Sequence, residues 1–412
     1  MSAQPLQILL VKSTFPGDPH DGGNLRLWHL LNGEGLLTHV LYGESAVGSR
    51  TLNWPRSHFL PHLGHLTAFG RWDSIGSWIA RNRTAAAGIT VALSQLVNEL
   101  RSEGPVVVLA SGHAVALALL AGGWDRFVFE CADSMGLHYK RRVRALGVRS
   151  PLKALNSWRV SAWFAGLEAY VTRRASMTLV CSPHDASFIR SRCCGGVVRD
   201  IRNGTDWLSF EAHVVRQEPG KTLAFFGQMQ WEPNRLTALY LARELMPALR
   251  RICPSAELRI IGGPRIPQLQ ICDGKHGVRV LGFVEDLPAA VRRCDVFVMP
   301  MFAGSGVKNK LAEAMALGMP VVTNSFGAEA LPGPARAGVL VCDGDEDLTH
   351  GIADLLVRAE RRAVLGQRAR VVAKQVFDWQ TIREQFKGAV LEAIDGPGDR
   401  CGHIGVSGAC SG

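Results

Sequence analysis

Residues 300–324 read PMFAGSGVKNKLAEAMALGMPVVTN. The stretch leaves an apolar run, DVFVMP (295–300), passes through Gly304-Ser305-Gly306, and takes up helical spacing from about Val307 to Leu317. Gly318 and Pro320 then end the helix, and a second apolar run, PVVTN (320–324), begins. Runs that are apolar throughout, without alternation, belong to parallel strands covered on both faces, so the segment predicts a strand, loop, helix and strand of a doubly wound sheet. A glycine loop opening a helix exposes backbone N–H groups at its positive end, which suits a diphosphate. Lys310 and Glu313 are three apart and share a helix face. A cation beside the phosphates and a carboxylate able to accept two hydroxyl hydrogen bonds would hold a nucleotide's diphosphate and ribose. On this segment alone, an ordinary βα unit with a solvated ion pair fits equally well.

The same alternation extends along the chain. LQILLV (6–11), HVLYG (39–43), PVVVLA (105–110), RFVFE (126–130) and MTLVCS (177–182) punctuate the first half. TLAFFG (222–227), ELRIIG (257–262), VRVLG (278–282), DVFVMP, PVVTN and GVLVC (338–342) punctuate the second. Between them, Asn203-Gly204 and Pro219-Gly220 break any regular element. The expectation is an α/β protein of two Rossmann-like, doubly wound domains facing each other across a cleft. The first domain spans 1–203, a linker 204–221 and the second domain 222–375. A closing helix at 376–394 packs back on the first domain, and a Gly-rich tail at 395–412 is disordered. Ligands of open α/β sheets bind at the carboxyl ends of the strands, here at the cleft.

With 412 residues, 47% apolar and 20% charged, the chain has ample material for two cores, which excludes global disorder. Ten cysteines without a C-x-x-C pair read as reduced thiols rather than a zinc or redox motif. The N-terminus lacks a basic region before its short apolar stretch, and no run suits a membrane span, so a cytoplasmic location is expected. Net charge is +10, unevenly shared: residues 1–205 hold 22 basic and 13 acidic side chains, the remainder 24 and 23. Such asymmetry points the first half toward something anionic, with a solvated basic face as the plainer reading. No recognised motif supports a nucleic-acid partner.

The 300–324 segment resembles the donor-binding signature of family 4 retaining glycosyltransferases of GT-B fold. Other stretches agree in order and spacing: STFPGDPHDGGNLRLWHLL (13–31), RNGTDWLSF (202–210), FFGQMQWEPNRLTA (225–238) and VLGFVEDLPAAVRRCDVFVMP (280–300). The Gly-Ser-Gly loop followed by Lys310 is similar to the exopolysaccharide-type subfamily. The resemblance implies a GT-B enzyme moving a hexose from a nucleotide sugar to an acceptor hydroxyl with retention, in polysaccharide or glycolipid synthesis. Glu313 matches the second Glu of the family's motif, which binds the donor ribose, while the first Glu falls at Ser305. Where many members carry an Arg and a Lys to neutralise the diphosphate, this chain has Gln228, Glu232 and Arg235. The resemblance then leaves Lys308, Lys310 and the helix start to supply the positive field, with Arg26 contributing from across the cleft.

Carried over by position, the donor site comprises Gly22, Gly23, Arg26, Gly227, Gly304, Ser305, Gly306, Lys308, Lys310 and Glu313, and the reacting groups His113, Asp133 and Lys310. A lone His is commonly structural, a Gly-Gly is commonly a turn, and Asp133 could equally cap the next helix. No DxD-type motif stands near the signature, so neither an essential metal nor another cofactor is expected. Residues 140–174 hold nine basic side chains against one acid, Glu168, with Trp158, Trp163, Phe164 and Tyr170 among them. Such a helix suits an anionic membrane surface, and packing of the aromatics on the sheet is the alternative. The competing function is a nucleotide-sugar-binding subunit of a polysaccharide assembly complex without transferase activity. Sugar-nucleotide epimerases of the same architecture would lack the 304–313 match.

Overall fold

The computed structural model describes residues 4–16, 22–44, 54, 56–69, 73–146, 150–205, 221–291, 294–304, 306 and 308–395. Most of the expected linker, nearly all of the expected tail, and Ser305 therefore lie outside the described residues.

The first sheet contains β1 (Leu6–Thr14), β2 (Leu36–Glu44), β3 (Ser57–Phe59), β4 (Val106–Ser111), β5 (Val128–Ala132), β6 (Met177–Val180) and β7 (Val198–Asp200). Their order is β3-β2-β1-β4-β5-β6-β7, with every neighbouring pair parallel. The second sheet contains β8 (Thr222–Phe226), β9 (Glu257–Ile261), β10 (Val278–Gly282), β11 (Val296–Met299), β12 (Val321–Thr323) and β13 (Leu340–Val341), in the order β10-β9-β8-β11-β12-β13 and again parallel. Both sheets are doubly wound, and the α/β class with two Rossmann-like units is what the apolar runs predict. The winding reverses between β1 and β4 in one sheet and between β8 and β11 in the other, and such switch points open the crevice that takes a ligand. The loops after these four strands carry Gly22, His113, Gly227 and Gly304.

Period-two burial explains why the strands are apolar throughout. In β1, Leu9 and Val11 join one buried cluster while Ile8 and Leu10 join another, so helices cover both faces of the first sheet. The helix Trp379–Asp395 belongs to the second of these clusters: Trp379, Ile382, Phe386 and Val390 pack with Leu27, Leu30 and Leu31 of the helix Gly22–Leu31. Trp379 stacks on His29 at 4.5 Å. At Gly204 a Cβ would come within 2.5 Å of the Trp379 ring, and the Thr205 N–H donates to the Phe377 carbonyl at 2.8 Å. The chain thus passes between the halves twice at neighbouring points.

Candidate active site at the interdomain cleft

On the second domain the site is built from the ends of β8 and β11. Gly227 ends β8 with φ +156°, and a Cβ there would lie 2.9 Å from Cε of Lys310. The missing side chain is what lets the Lys310 stem cross over the strand end. After β11, Gly304 (φ +114°) and Gly306 (φ +69°) turn the chain into the helix Asn309–Ala316, whose first turn has no side-chain cap among the described residues. The Leu311 amide turns back to the Lys308 carbonyl at 2.8 Å, and the amides of Asn309 and Lys310 at the positive end of the helix suit an anion.

Lys308 is buried and donates to the Gly306 carbonyl at 3.2 Å, with its ammonium over the Phe326 ring. Lys310 stands one turn from Glu313. Desolvation and the neighbouring Lys308 push the Lys310 ammonium down to about 8, against the opposing pull of Glu313. Burial raises the Glu313 carboxyl, with Lys310 partly offsetting the rise. A cation poised to lose its proton unless an anion arrives suits a phosphate site.

The first domain answers with carboxylates. Ala132 ends β5 at φ +51°, a left-handed conformation rare for a residue with a Cβ, and the β5–β6 register shifts there. Asp133 follows this kink. Its Oδ1 accepts from the Cys181 thiol at 2.8 Å and lies 1.8 Å from where a Cβ on Gly306 would be, so only glycine fits opposite it. Asp185, in the first turn of the helix Pro183–Arg190, accepts from the Ser134 amide at 3.0 Å and, across the cleft, from the Gly306 amide at 3.1 Å. Burial and the nearby Asp133 push its carboxyl up to about 6.

His113 opens the helix after β4, and its Nε2 sits 3.2 Å from Oε1 of Glu168 and 3.7 Å from the Cys131 thiol. Glu168 is buried and also accepts from the Ser134 hydroxyl at 2.7 Å and the Gly136 amide at 3.2 Å. Glu130, Asp133, Glu168 and Asp185 all lie close enough to the buried Cys131 thiol to add to the rise that its burial causes.

The structure brings together His113, Asp133, Gly227, Gly304, Gly306, Lys308, Lys310 and Glu313 around one cleft. Gly22 opens the helix after β1, Gly23 follows it and is exposed, and the residues just before them (17–21) and Ser305 fall outside the described residues. Arg26 stands apart from the role the resemblance implied. Its guanidinium is buried, paired with Glu130 at 2.8 Å and donating to Asn203 Oδ1 at 2.7 Å and the Arg202 carbonyl at 3.1 Å. Asn203 in turn donates to Asn309 Oδ1 at 2.8 Å, at the start of the Lys310 helix. Arg26 thereby supports the junction of the halves through Asn203.

Sequence reasoning turned two cleft residues the wrong way. Arg141 and Arg142, grouped with the outward basic stretch, face the second domain. Arg141 pairs with Glu329 at 2.6 Å and donates to the Gly304 carbonyl at 2.9 Å, while Arg142 pairs with Glu232 at 2.8 Å. Glu232 thus has a partner across the cleft. His138 meets Trp231 nearby, with ring centroids 5.2 Å apart. Asp185 and Glu168 were also missed. A Ser-x-x-Asp start directly after the apolar run MTLVC, and a single acid on an otherwise basic and apolar helix, were the available signals.

The two facing Rossmann-like domains, each with its switch point at the cleft, define the GT-B fold. Residues 220–358 match the family profile of glycosyl transferases, group 1. The phosphatidyl-myo-inositol mannosyltransferase of Mycobacterium leprae (strain TN) is 32% identical over 176 residues, 40% of this chain and 45% of that protein. A glycosyltransferase of Methanocaldococcus jannaschii is 26% identical over 116 residues, 27% of this chain and 30% of its own. The chain spans less than half the length of these curated relatives. Among solved structures, sucrose-phosphate synthase from Thermosynechococcus elongatus superposes with a TM-score of 0.65 at 16% identity, over 95% of this chain and 99% of that one. HepE of Anabaena in complex with UDP-glucose does so with a TM-score of 0.60 at 16% identity, over 94% and 99%.

Proposed function

We propose that this protein is a retaining glycosyltransferase that moves a hexose from a nucleotide sugar to an acceptor hydroxyl in polysaccharide or glycolipid assembly. The observation that carries the reading is the uncapped helix start with Lys308, Lys310 and Glu313, set within the segment that matches the group 1 profile. Lys310 and the amides at the helix start hold the departing diphosphate, and Glu313 holds the ribose hydroxyls. His113, braced by Glu168, and Asp133 face the sugar and the acceptor. In a front-face route the leaving diphosphate takes the acceptor's proton, and the protein supplies orientation and a preorganised positive field. No metal is required in this scheme, so excess EDTA leaves turnover intact.

Purified protein incubated with labelled UDP- and GDP-sugars, with and without saccharide and lipid-linked acceptors, tests the reading. Acceptor-dependent release of nucleoside diphosphate supports it. Ser305 in place of the family's first Glu favours a second reading, a nucleotide-sugar-binding subunit of an assembly complex, which would bind a donor without turning it over.

The name of the mannosyltransferase relative suggests a lipid acceptor, and the outer face of the helix Pro151–Thr172 fits one. Leu152, Leu155 and Trp158 are exposed there, at 81%, 56% and 60%, beside Lys153 and Arg159. No described helix is long and apolar enough to cross a membrane. The proposal is reversible docking of this face on an anionic leaflet at the cytoplasmic side. Leu152→Ser with Trp158→Ser should abolish low-salt co-sedimentation with phosphatidylglycerol vesicles, and equal pelleting of variant and wild type would refute docking.

A further inference from the structure

At the floor of the first domain, three side chains of different chemistry converge: the imidazole of His113, the thiol of Cys131 and the carboxylate of Glu168. Their donor atoms all lie within 4.8 Å of one another, with 3.2 Å from Nε2 to Oε1 and 3.7 Å from Nε2 to Sγ. Around a tetrahedral zinc ion, bonds near 2.0–2.3 Å separate neighbouring donors by about 3.3–3.6 Å. The two observed separations bracket that range.

We propose that His113, Cys131 and Glu168 bind one Zn²⁺ ion, and that the bound ion inhibits the protein by taking His113 out of the site. The second half of the proposal rests on the transferase reading; the metal site does not.

Four features support it. The donor set joins a borderline nitrogen and a soft sulfur to one oxygen, which selects zinc over magnesium or calcium. The donors are held from behind: the second oxygen of Glu168 takes the Ser134 hydroxyl, its first takes the Gly136 amide, and the His113 ring is wedged edge-on between Phe129 at 5.6 Å and Phe164 at 5.2 Å. Asp133 and Asp185 lie near the thiol and add negative charge that favours a dication. The His113 side chain is 12% exposed at the cleft end of the sheet, and from that side an ion and a fourth, water ligand would reach the site. Binding releases the thiol proton to solvent and uses the neutral imidazole.

A neighbouring group, Asp133, Cys181 and Asp185, also lies within 4.8 Å. There Asp133 holds the Cys181 thiol and Asp185 reaches across the cleft to the Gly306 amide, so an ion at this group would have to break a contact between the halves. The Cys131 thiol, by contrast, donates to the Asp133 carbonyl at 3.6 Å. The neighbouring group is the control site.

The test begins with full-length protein stripped by a chelator and given one equivalent of Co²⁺. A thiolate-to-cobalt charge-transfer band should appear, disappear in Cys131→Ser and persist in Cys181→Ser. His113→Gln should weaken Zn²⁺ affinity at least tenfold in competition with a chromogenic chelator. Absence of the band in wild type, or its survival in Cys131→Ser, overturns the site, as does loss in Cys181→Ser alone. X-ray absorption on wild type loaded with one equivalent of zinc needs no variant to fold. One sulfur among nitrogen and oxygen neighbours supports the site, and two or more sulfurs or none overturns it. Zinc should suppress turnover reversibly, with at least tenfold more needed in Cys131→Ser. Undiminished turnover with the site filled overturns the inhibitory half. If no turnover is found with any donor while the cobalt signature is intact, the transferase reading fails and the metal site stands.

Discussion

The two faces of the cleft carry charges opposite to what their halves of the chain advertise. Residues 1–205 hold an excess of nine basic side chains, yet set Asp133 and Asp185 against Gly306 of the other half, with Glu168 buried beside His113. The second half is nearly neutral, yet its face presents Lys308 and Lys310. Among the described basic residues of the first half, Arg26 is paired with Glu130, Arg141 with Glu329 and Arg142 with Glu232, while Lys140, Arg144, Lys153 and Arg159 are exposed on the outside. Net charge therefore speaks for the outer surface and for encounter, while a few desolvated groups set the polarity of the site.

The contrast can be broken from either side. The largest effect should come from Lys310→Ala, which removes one preorganised donor aimed at developing charge and should lower kcat by about 10²–10³-fold. A turnover assay with wild-type rates in the variant would remove Lys310 from the chemistry. Glu313→Ala should weaken nucleotide binding by about 1–3 kcal/mol in calorimetry, without unfolding the domain, and should do so for the bare nucleoside as well, because the contact is to ribose.

A pH titration sharpens the comparison further. Lys310 titrates at about 8, so its charge is present below that pH and lost above it. Affinity for a nucleoside diphosphate should fall as pH rises through this region, and the bare nucleoside should show no such step. In Lys310→Arg, whose cation does not titrate there, the step should vanish. The smallest expected effect is that of Arg141→Gln, which unties Glu329 and the Gly304 carbonyl. It should weaken diphosphate binding by about 0.5–1.5 kcal/mol, with the loss shared by Glu329→Gln and not doubled in the double variant.

The second-domain half of the site was legible because it is contiguous: loop, cation and carboxylate fall within 304–313, between two apolar strands. The first-domain half was less so. His113, Cys131, Glu168 and Asp185 come from separate βα units, and only the winding of the sheet brings them together. Arg141 and Arg142 were misread for a related reason. A basic helix looks the same in sequence whether it faces lipid or carboxylates, and the deciding partners, Glu329 and Glu232, lie in the other domain. At the level of fold, β3 and β7 escaped notice because each is three residues long, and β3 is exposed throughout, so neither leaves an apolar run. The long central strands are buried on both faces and could hardly be missed.

The double passage of the chain at Thr205 and Asp378 limits what the cleft can do. A body attached to another at one point can swing about three axes. Attached at two neighbouring points, it keeps chiefly the rotation about the line through them. The bridge between Thr205 and Asp378, with Trp379 seated on Gly204, makes the two passages such a pair. Any opening that pivots at this bridge would part Arg141–Glu329, Arg142–Glu232 and Asp185–Gly306 together. A single engineered cross-link across the rim would consequently arrest the whole movement, wherever along the rim it was placed.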